Sequence, residues 1–185
     1  MQAMILAAGL GTRLKPFTDK HPKALAPVNG KTVLQRNIEY LQQHGIFDVI
    51  VNVHHFALQI VETIDQNNGW GSRVTISDET DEVLETGGGI KKAAWFFNPQ
   101  APFVVINADI LTDLNLTAML KAHLTHQPMG TLAVTRRPSS RALLFDNHNR
   151  LCGWTNQKTG ELKGKNGYPL AFSGIQILDP FIFDL

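Results

Sequence analysis

The sequence predicts an α/β fold, a doubly wound and mainly parallel sheet with a small β-rich subregion. Two observations carry this prediction: short runs rich in Val, Ile and Phe alternate with amphipathic segments of helical period, and the links between them are short. Each apolar run has about the length of a strand that is buried on both faces. The predicted strands are Ala3–Ala7, Phe47–Val53, Arg73–Ser77, Phe103–Asn107 and Thr131–Thr135.

Helices are predicted between these strands because apolar residues recur there every three to four positions and form one stripe per segment. The stripes begin at Leu34, Ala57 and Leu116. Gly45 stands where a left-handed C-terminal cap is expected, and Asn115 precedes the third stripe as an N-cap. Repeated strand–helix–strand units imply right-handed crossovers and helices on both faces of the sheet.

The pattern changes after Pro138. Two strand-like pieces, Ala142–Phe145 and Ala171–Leu178, flank a polar stretch rich in Gly, Lys and Asn from Asn156 to Asn166. We interpret this part as a β-rich subregion with a mobile loop, within one domain that spans residues 1–185.

Composition excludes several classes of protein. A hydrophobic fraction of 43% with 18% charged residues is ordinary for a globular chain. A net charge of +1 provides no global field to attract DNA, RNA or an acidic membrane, so no nucleic-acid or membrane partner is expected. Cys152 is the single cysteine, and the apolar run from Ala3 is short and lacks the preceding positive charge of an export signal. A cytoplasmic location is therefore predicted.

The expected ligand site lies at the carboxyl ends of the strands, where open α/β sheets bind their ligands. Polar or glycine-rich segments stand at three such places. They are the loop Ala8–Lys15, the segment before the helix that contains Gly87–Gly89, and the strand end Asn107–Asp109. One shared site accounts for all three.

The loop after the first strand has the parts of a phosphate-binding loop. Gly9 and Gly11 allow the backbone to approach an anion, although the spacing is neither that of a P-loop nor that of a dinucleotide fingerprint. Arg13 offers a planar charged fork and Lys23 a compact charge, which together suit a transferring phosphoryl group. The alternative is a tight turn with solvated surface cations.

Asp109 is the candidate metal ligand, because an ionised carboxylate at the end of an apolar strand needs a partner or a cation. Asp113 is the alternative ligand, and a turn or cap is the alternative role of Asp109. At Thr86–Gly89 the glycines favour close approach to a base or sugar. The other interpretation is a helix cap formed by Thr86.

These residues also resemble a known family. The segment "MILAAGLGTRLKPFTDKHPKALAPVNGK" is similar to the signature L-x-x-G-x-G-T-R-[LM]-x-P…P-K-x-L-x-P-V of the sugar-1-phosphate nucleotidylyltransferases, also called nucleotide-sugar pyrophosphorylases. "ETGGGI", the strand ending in an aspartate and "AFSGIQIL" extend the similarity over nearly the whole chain. Within the family the chain most resembles the branch of N-acetylmuramate-1-phosphate uridylyltransferases and mannose-1-phosphate guanylyltransferases.

The resemblance implies a Rossmann-like nucleotidyltransferase fold and a reaction in which a nucleoside triphosphate and a sugar 1-phosphate give a nucleotide sugar and pyrophosphate, with Mg²⁺ as cofactor. It implies roles by motif position. Arg13 would contact the triphosphate, Lys23 the α-phosphate in the transition state, and Asp109 the metal. The implied nucleotide contacts are Ala8, Gly9, Gly11, Thr12, Thr86, Gly87 and Gly88. The implied sugar-phosphate contacts are Lys158, Ser173 and Gly174.

The chain departs from the family pattern in two ways. Ala108 stands where many relatives have a glycine before the metal aspartate. The chain also ends at "PFIFDL", before the second metal aspartate that the family usually has, so we expect a C-terminal truncation relative to a complete family domain. Two alternatives stay open: a nucleotide-sugar binding or regulatory module, and a related cytidylyl or molybdopterin-guanylyl transferase. The base and the sugar are not determined.

Overall fold

The computed structural model describes residues 1–82 and 84–185, and these residues form two compact units. The first unit comprises Met1–Thr131 with Gln176–Leu185, and the second comprises Leu132–Ile175. Within the described residues, no helix has the length and apolar character needed to cross a lipid bilayer.

The first unit alternates strands and helices. Its strands are β1 (Gln2–Leu6), β2 (Pro27–Val28), β3 (Lys31–Thr32), β4 (Asp48–Val53), β5 (Arg73–Asp78) and β6 (Phe103–Asn107). Its helices are α1 (Val33–Gln43), α2 (Ala57–Gln66), α3 (Glu85–Lys92) and α4 (Leu116–His126).

Four of these strands form a parallel sheet in the order β6-β1-β4-β5. The register pairs Leu6 of β1 with Asn107 of β6 on one side and with Asn52 of β4 on the other. Asn52 in turn pairs with Ser77 of β5. The carboxyl ends of all four strands therefore meet at one edge, as the doubly wound α/β prediction requires.

The core of the first unit lies against this sheet. Met4 and Ile50 are fully buried, and Phe103 is 1% exposed. Phe97 stacks on Phe103 with a centroid separation of 3.9 Å. Strands that are buried on both faces need continuous apolar runs, which explains the mainly apolar sequences of β1, β4 and β6. Strand β5, at one end of this order, is only partly buried and alternates polar with apolar residues.

Two predicted helix boundaries are confirmed. Asn115 caps α4 by accepting a hydrogen bond from the backbone N–H of Ala118 at 2.9 Å. Gly45 follows α1 with φ +74°, and its N–H donates to the carbonyl of Gln42. Glycine adopts this left-handed conformation without the steric cost that a side chain would add. Asn115 therefore fixes where α4 begins, and Gly45 fixes where α1 ends.

The second unit is antiparallel. Its strands are β8 (Arg141–Phe145), β9 (Leu151–Asn156), β10 (Glu161–Gly164), most of β11 (Tyr168–Leu178) and the end of β7 (Gly130–Thr135). Strand β9 pairs with β8 and β10, and β8 also pairs with β11.

The polar stretch from Asn156 to Asn166 is not a continuous loop, contrary to the prediction. Its middle is β10, in which Glu161 pairs with Asn156 and Gly164 pairs with Gly153. All four residues of β10 are exposed, so backbone hydrogen bonds form the strand without an apolar pattern to announce it. At Gly153 the carbonyl oxygen of Lys165 would lie 2.3 Å from an added Cβ, so only glycine fits there.

Candidate active site

A cavity of about 470 Å³ lies at the carboxyl edge of the parallel sheet. Its lining comes from the first unit alone, and every strand of the parallel sheet contributes residues at or just beyond its end. The lining residues are Leu6, Ala7, Ala8, Gly9, Leu10, Gly11, Thr12, Arg13, Lys23, Ala24, Asn52, Glu79, Glu85, Thr86, Asn107, Ala108 and Asp109.

The loop after β1 is packed against the segment that carries Lys23. Gly11 has φ +64°, and an added Cβ would lie 2.8 Å from the Cβ of Lys23 and 2.9 Å from the Cγ2 of Thr18. The hydroxyl of Thr18 donates to the carbonyl of Gly11 at 3.0 Å. Gly11 is therefore required both by its backbone conformation and by the space available. Arg13 is exposed and lines the cavity two residues later.

Lys23 and Asp109 form an ion pair between Lys23 Nζ and Asp109 Oδ2. The two residues are 86 positions apart in sequence, and their side chains are 22% and 31% exposed. Sequence reasoning gave them separate tasks and missed this contact. Without a ligand, each charge compensates the other, which removes most of the cost of holding a partly buried carboxylate.

Helix α1 positions the segment that carries Asp109. The side-chain amide of Asn37 donates to the carbonyl of Ala108 at 3.0 Å, and the hydroxyl of Tyr40 donates to the carbonyl of Leu114 at 2.8 Å. Burial, with the nearby Asp113 carboxylate as a second cause, raises the pKa of Tyr40 to about 12. The phenol therefore remains a donor at neutral pH. Asp113 itself is exposed and is not among the cavity-lining residues, unlike Asp109.

The entrance of α3 differs from the predicted cap. The helix begins at Glu85 and its N-cap position is Leu84, so the alternative interpretation of Thr86 as the cap is wrong. Glu85 has φ +57°, a strained conformation for a residue with a side chain. Thr86 lines the cavity. Gly87 and Gly88 lie further into the helix and are not among the residues that line the cavity.

Asn52 and Glu79 are cavity residues that sequence reasoning missed. Asn52 lies near the end of β4, and Glu79 directly follows β5. The rule that ligands bind at strand ends could have found both, because it applies equally to all four parallel strands. Neither residue is a glycine or a cation, the two residue types that marked the phosphate-binding loop in the sequence.

The predicted sugar-phosphate residues belong to the second unit. Lys158 is exposed, and its backbone N–H donates to the side chain of Asn156. The hydroxyl of Ser173 is buried and has no hydrogen-bond partner within residues 1–82 and 84–185. Gly174 has φ +78°. Their contact with a sugar phosphate stays a prediction.

Metal-ligating groups are sparse at the site. In the part of the chain that the structure describes, no three His, Cys, Asp or Glu side chains are grouped to hold an ion. Asp109 supplies one carboxylate, two residues beyond the end of β6. This donor set suits a cation such as Mg²⁺ that takes one or two carboxylates and completes its shell with phosphate oxygens and water. It does not suit a cation caged entirely by protein.

The fold and the cavity define a doubly wound α/β protein with its candidate site at the edge of a parallel sheet. Comparison with known proteins identifies its family: the nucleotidyl transferase family matches residues 2–145, and the chain belongs to it. The resemblance drawn from the opening segment is thereby confirmed.

Individual relatives narrow the family. The chain is 33% identical over 200 residues to the N-acetylmuramate alpha-1-phosphate uridylyltransferase of Neisseria meningitidis, which covers 100% of this chain and 78% of that protein. It is 28% identical to mannose-1-phosphate guanyltransferase 2 of Candida glabrata, covering 100% of this chain but only 52% of the relative. Among solved structures, HddC from Yersinia pseudotuberculosis complexed with GMP-PN is similar with a TM-score of 0.81 and 28% identity, over 100% of this chain and 79% of that one.

Proposed function

We propose that this chain joins a nucleoside triphosphate and a sugar 1-phosphate to give a nucleotide sugar and pyrophosphate. The observation that carries the proposal is the gathering of Arg13, Lys23 and Asp109 around one cavity beside the glycine loop. The names of the relatives support the same reaction class. A cytoplasmic location, where both substrates are available, belongs to this proposal.

The reaction is an in-line displacement. An oxygen of the sugar phosphate forms a bond to the α-phosphorus, the bond from that phosphorus to the bridging oxygen of the β-phosphate breaks, and pyrophosphate leaves with the electron pair. Such a transfer needs positioning and charge neutralisation rather than a covalent nucleophile. Mg²⁺, when bound, supplies further neutralisation of the triphosphate.

The residues of the chain divide these tasks. The guanidinium of Arg13 binds triphosphate oxygens as a planar fork, and Lys23 stabilises charge that develops on the α-phosphate. Asp109 supplies the carboxylate for the metal. The ion pair of Lys23 and Asp109 holds both side chains at the cavity before a ligand binds. When a magnesium triphosphate binds, the phosphate replaces Asp109 as the partner of Lys23, and the metal replaces Lys23 as the partner of Asp109.

Contact of the nucleotide with Ala8, Gly9, Gly11 and Thr12 belongs to the same proposal, since this loop lines the cavity beside Arg13. The backbone N–H groups of such a loop are oriented donors for phosphate oxygens. Lys158, Ser173 and Gly174 are the proposed contacts of the sugar phosphate.

Pyrophosphate release from a matrix of GTP, UTP, ATP, CTP and dTTP against several sugar 1-phosphates, with and without Mg²⁺, tests the proposal. We expect release that requires both substrates and the metal. The matching sugars without the 1-phosphate are the control for simple triphosphate hydrolysis. Tight nucleotide binding without release for any combination would indicate a binding module instead.

A further inference from the structure

Asp109 is the third residue of a β-turn whose central peptide is held from outside the turn. The N–H of Ile110 donates to the carbonyl of Asn107 at 3.2 Å, which closes the turn. The central peptide joins Ala108 to Asp109, and its carbonyl accepts a hydrogen bond from the side-chain amide of Asn37 at 3.0 Å. Asn37 lies in α1, 71 positions earlier in the sequence. A distant helix therefore holds the turn that carries Asp109.

The orientation of this central peptide sets the direction of the Asp109 side chain. Turning the central peptide of a β-turn over changes φ of the third residue from about −90° to about +80°. Asp109 does not have a positive φ. Aspartate tolerates a positive φ better than most residues, so its own preference does not exclude the inverted turn. The amide of Asn37 does exclude it, because the inverted carbonyl would point away from its donor.

Asn37 and Ala108 are themselves fixed in place. Asn37 is 2% exposed, and Leu34 and Ile38 of the same helix are fully buried, so α1 is anchored in the core. Ala108 is 5% exposed, and its N–H donates to the carbonyl of Leu6 at 3.0 Å. Both backbone groups of Ala108 are thus hydrogen-bonded, as buried backbone groups must be. The orientation of the turn is set before any ligand binds.

Helix α1 also holds the segment that carries Lys23. The backbone N–H of Val33, the first residue of α1, donates to the carbonyl of Ala26 at 3.0 Å, three residues after Lys23. The same helix therefore supports both members of the ion pair. Through Asn37 it sets the direction of Asp109 relative to Lys23.

We propose that Asn37 is a positioning residue for the metal ligand: it selects the turn orientation that keeps the carboxylate of Asp109 at the cavity, where it binds a divalent cation. This inference rests on the proposed function, which gives Asp109 that role. A functional group must be held within about 0.5 Å of its productive position. Partners that orient a metal ligand from behind are therefore worth about 10–100-fold in metal affinity.

Asn37→Leu tests the positioning, because it removes the donor and keeps the length of the side chain. The probe is the complex of Mn²⁺ with inorganic tripolyphosphate, whose binding is measured by the relaxation of water protons. Metal-free tripolyphosphate, measured by calorimetry with a chelator present, is the comparison ligand. We expect affinity for the Mn²⁺ complex to fall about 10–100-fold. Affinity for metal-free tripolyphosphate should not change, since Arg13 and the glycine loop are unaltered.

Two further variants separate this role from a loss of packing. Gln42→Met is the matched control, because Gln42 is another amide of α1 that donates to a backbone carbonyl, that of Trp70 at 2.9 Å, outside the cavity lining. It should lower the melting temperature without changing the ratio of the two affinities. Asn37→Ala adds no atoms to the buried site and should reproduce the result of Asn37→Leu, including when leucine does not fit.

A double-mutant cycle shows whether Asn37 acts through Asp109. Asp109→Asn removes the metal ligand, so a residue that only orients this ligand has nothing left to contribute. The double variant Asn37→Leu with Asp109→Asn should therefore bind the Mn²⁺ complex as Asp109→Asn alone does, within about twofold. A structural role of Asn37 elsewhere in the molecule would make the two losses additive.

The outcomes separate this inference from the proposed function, because the binding measurements do not require turnover. If no triphosphate is turned over with any sugar 1-phosphate, the proposed function fails, and the binding results still judge Asn37. An unchanged ratio of the two affinities in both Asn37 variants, an equal loss for metal-free tripolyphosphate, or additive losses in the cycle would overturn the positioning role. A selective loss for the Mn²⁺ complex that disappears in the Asp109→Asn background supports it.

Discussion

Replacing Asp109 with asparagine separates a metal ligand from a structural ion-pair partner. Asn keeps the shape of the side chain and one acceptor oxygen, but it removes the charge that attracts a hard cation. Side-chain exposures of 22% for Lys23 and 31% for Asp109 place the ion pair near the surface, where such pairs contribute about 0.2–1 kcal/mol. A loss of that size lowers the melting temperature of a chain of this length by at most about 2–4 °C.

Activity should change far more than stability. Altering a group that only supports a metal ligand costs about 10–100-fold in metal affinity, so removing the carboxylate itself should raise the Mg²⁺ requirement by at least about 100-fold. Pyrophosphate release is measured against Mg²⁺ concentration beside thermal melting. Asp19→Asn is the control, because Asp19 forms an exposed ion pair with Lys15 at 3.0 Å outside the cavity lining. An unchanged Mg²⁺ dependence in Asp109→Asn would remove Asp109 from the metal site.

Further predictions concern the loop and the pH dependence of stability. Arg13→Ala should lower turnover about 10²–10³-fold, the value of one electrostatic donor, without a shift in melting because Arg13 is exposed; unaltered pyrophosphate release would contradict its role. Gly11→Ala should lower the free energy of unfolding by more than the strain of a left-handed backbone, about 1–2 kcal/mol, because its Cβ would lie 2.8 Å from that of Lys23. Gly45→Ala is the control, since Gly45 has φ +74° but open space around an added Cβ. Denaturant unfolding of both variants therefore separates the steric cost from the backbone cost. Burial lowers the pKa of His123, so the folded state binds the proton less well than the unfolded chain. The contribution of His123 to stability is fully present above its pKa in the unfolded chain, about 6.5. It is lost as the pH falls from there through the lower pKa of the folded state. The measurement is the difference in unfolding free energy between the wild type and His123→Gln. The same difference at pH 7.5 and at pH 5 would refute the prediction.

The sequence predicted the parts of the fold that depend on local pattern. Strand β6 was predicted residue for residue, because a buried parallel strand is a continuous apolar run that ends abruptly in polar residues. The caps at Gly45 and Asn115 were equally local signals. Strand β10 was missed because its four exposed residues carry no apolar alternation, and its existence depends on pairing with β9.

The candidate site was predicted in its components but not in its contacts. Lys23 and Asp109 were each chosen for their charge, yet their ion pair joins residues 86 positions apart, which no periodicity reports. The hydrogen bonds of Asn52 to Ala7 and Glu79 span 45 and 27 positions. Such partners become neighbours only when the strand order is known. A sequence can therefore indicate which strand ends bear functional side chains, but it does not indicate which of those side chains are in contact.

The strand order also sets the distance between two parts of the candidate site. Asp109 follows β6 and Glu79 follows β5, and these strands stand at opposite ends of the order β6-β1-β4-β5. Neighbouring strands lie about 4.8 Å apart, so three steps separate the ends of these two strands by roughly 14 Å across the sheet edge. A molecule that engages both must be extended over that distance, with a cation-binding group at one end and hydrogen-bond donors at the other. A free base or a lone phosphate is too short to reach both positions. The spacing of the strands therefore selects ligands by length, in addition to the selection that the side chains make by chemistry.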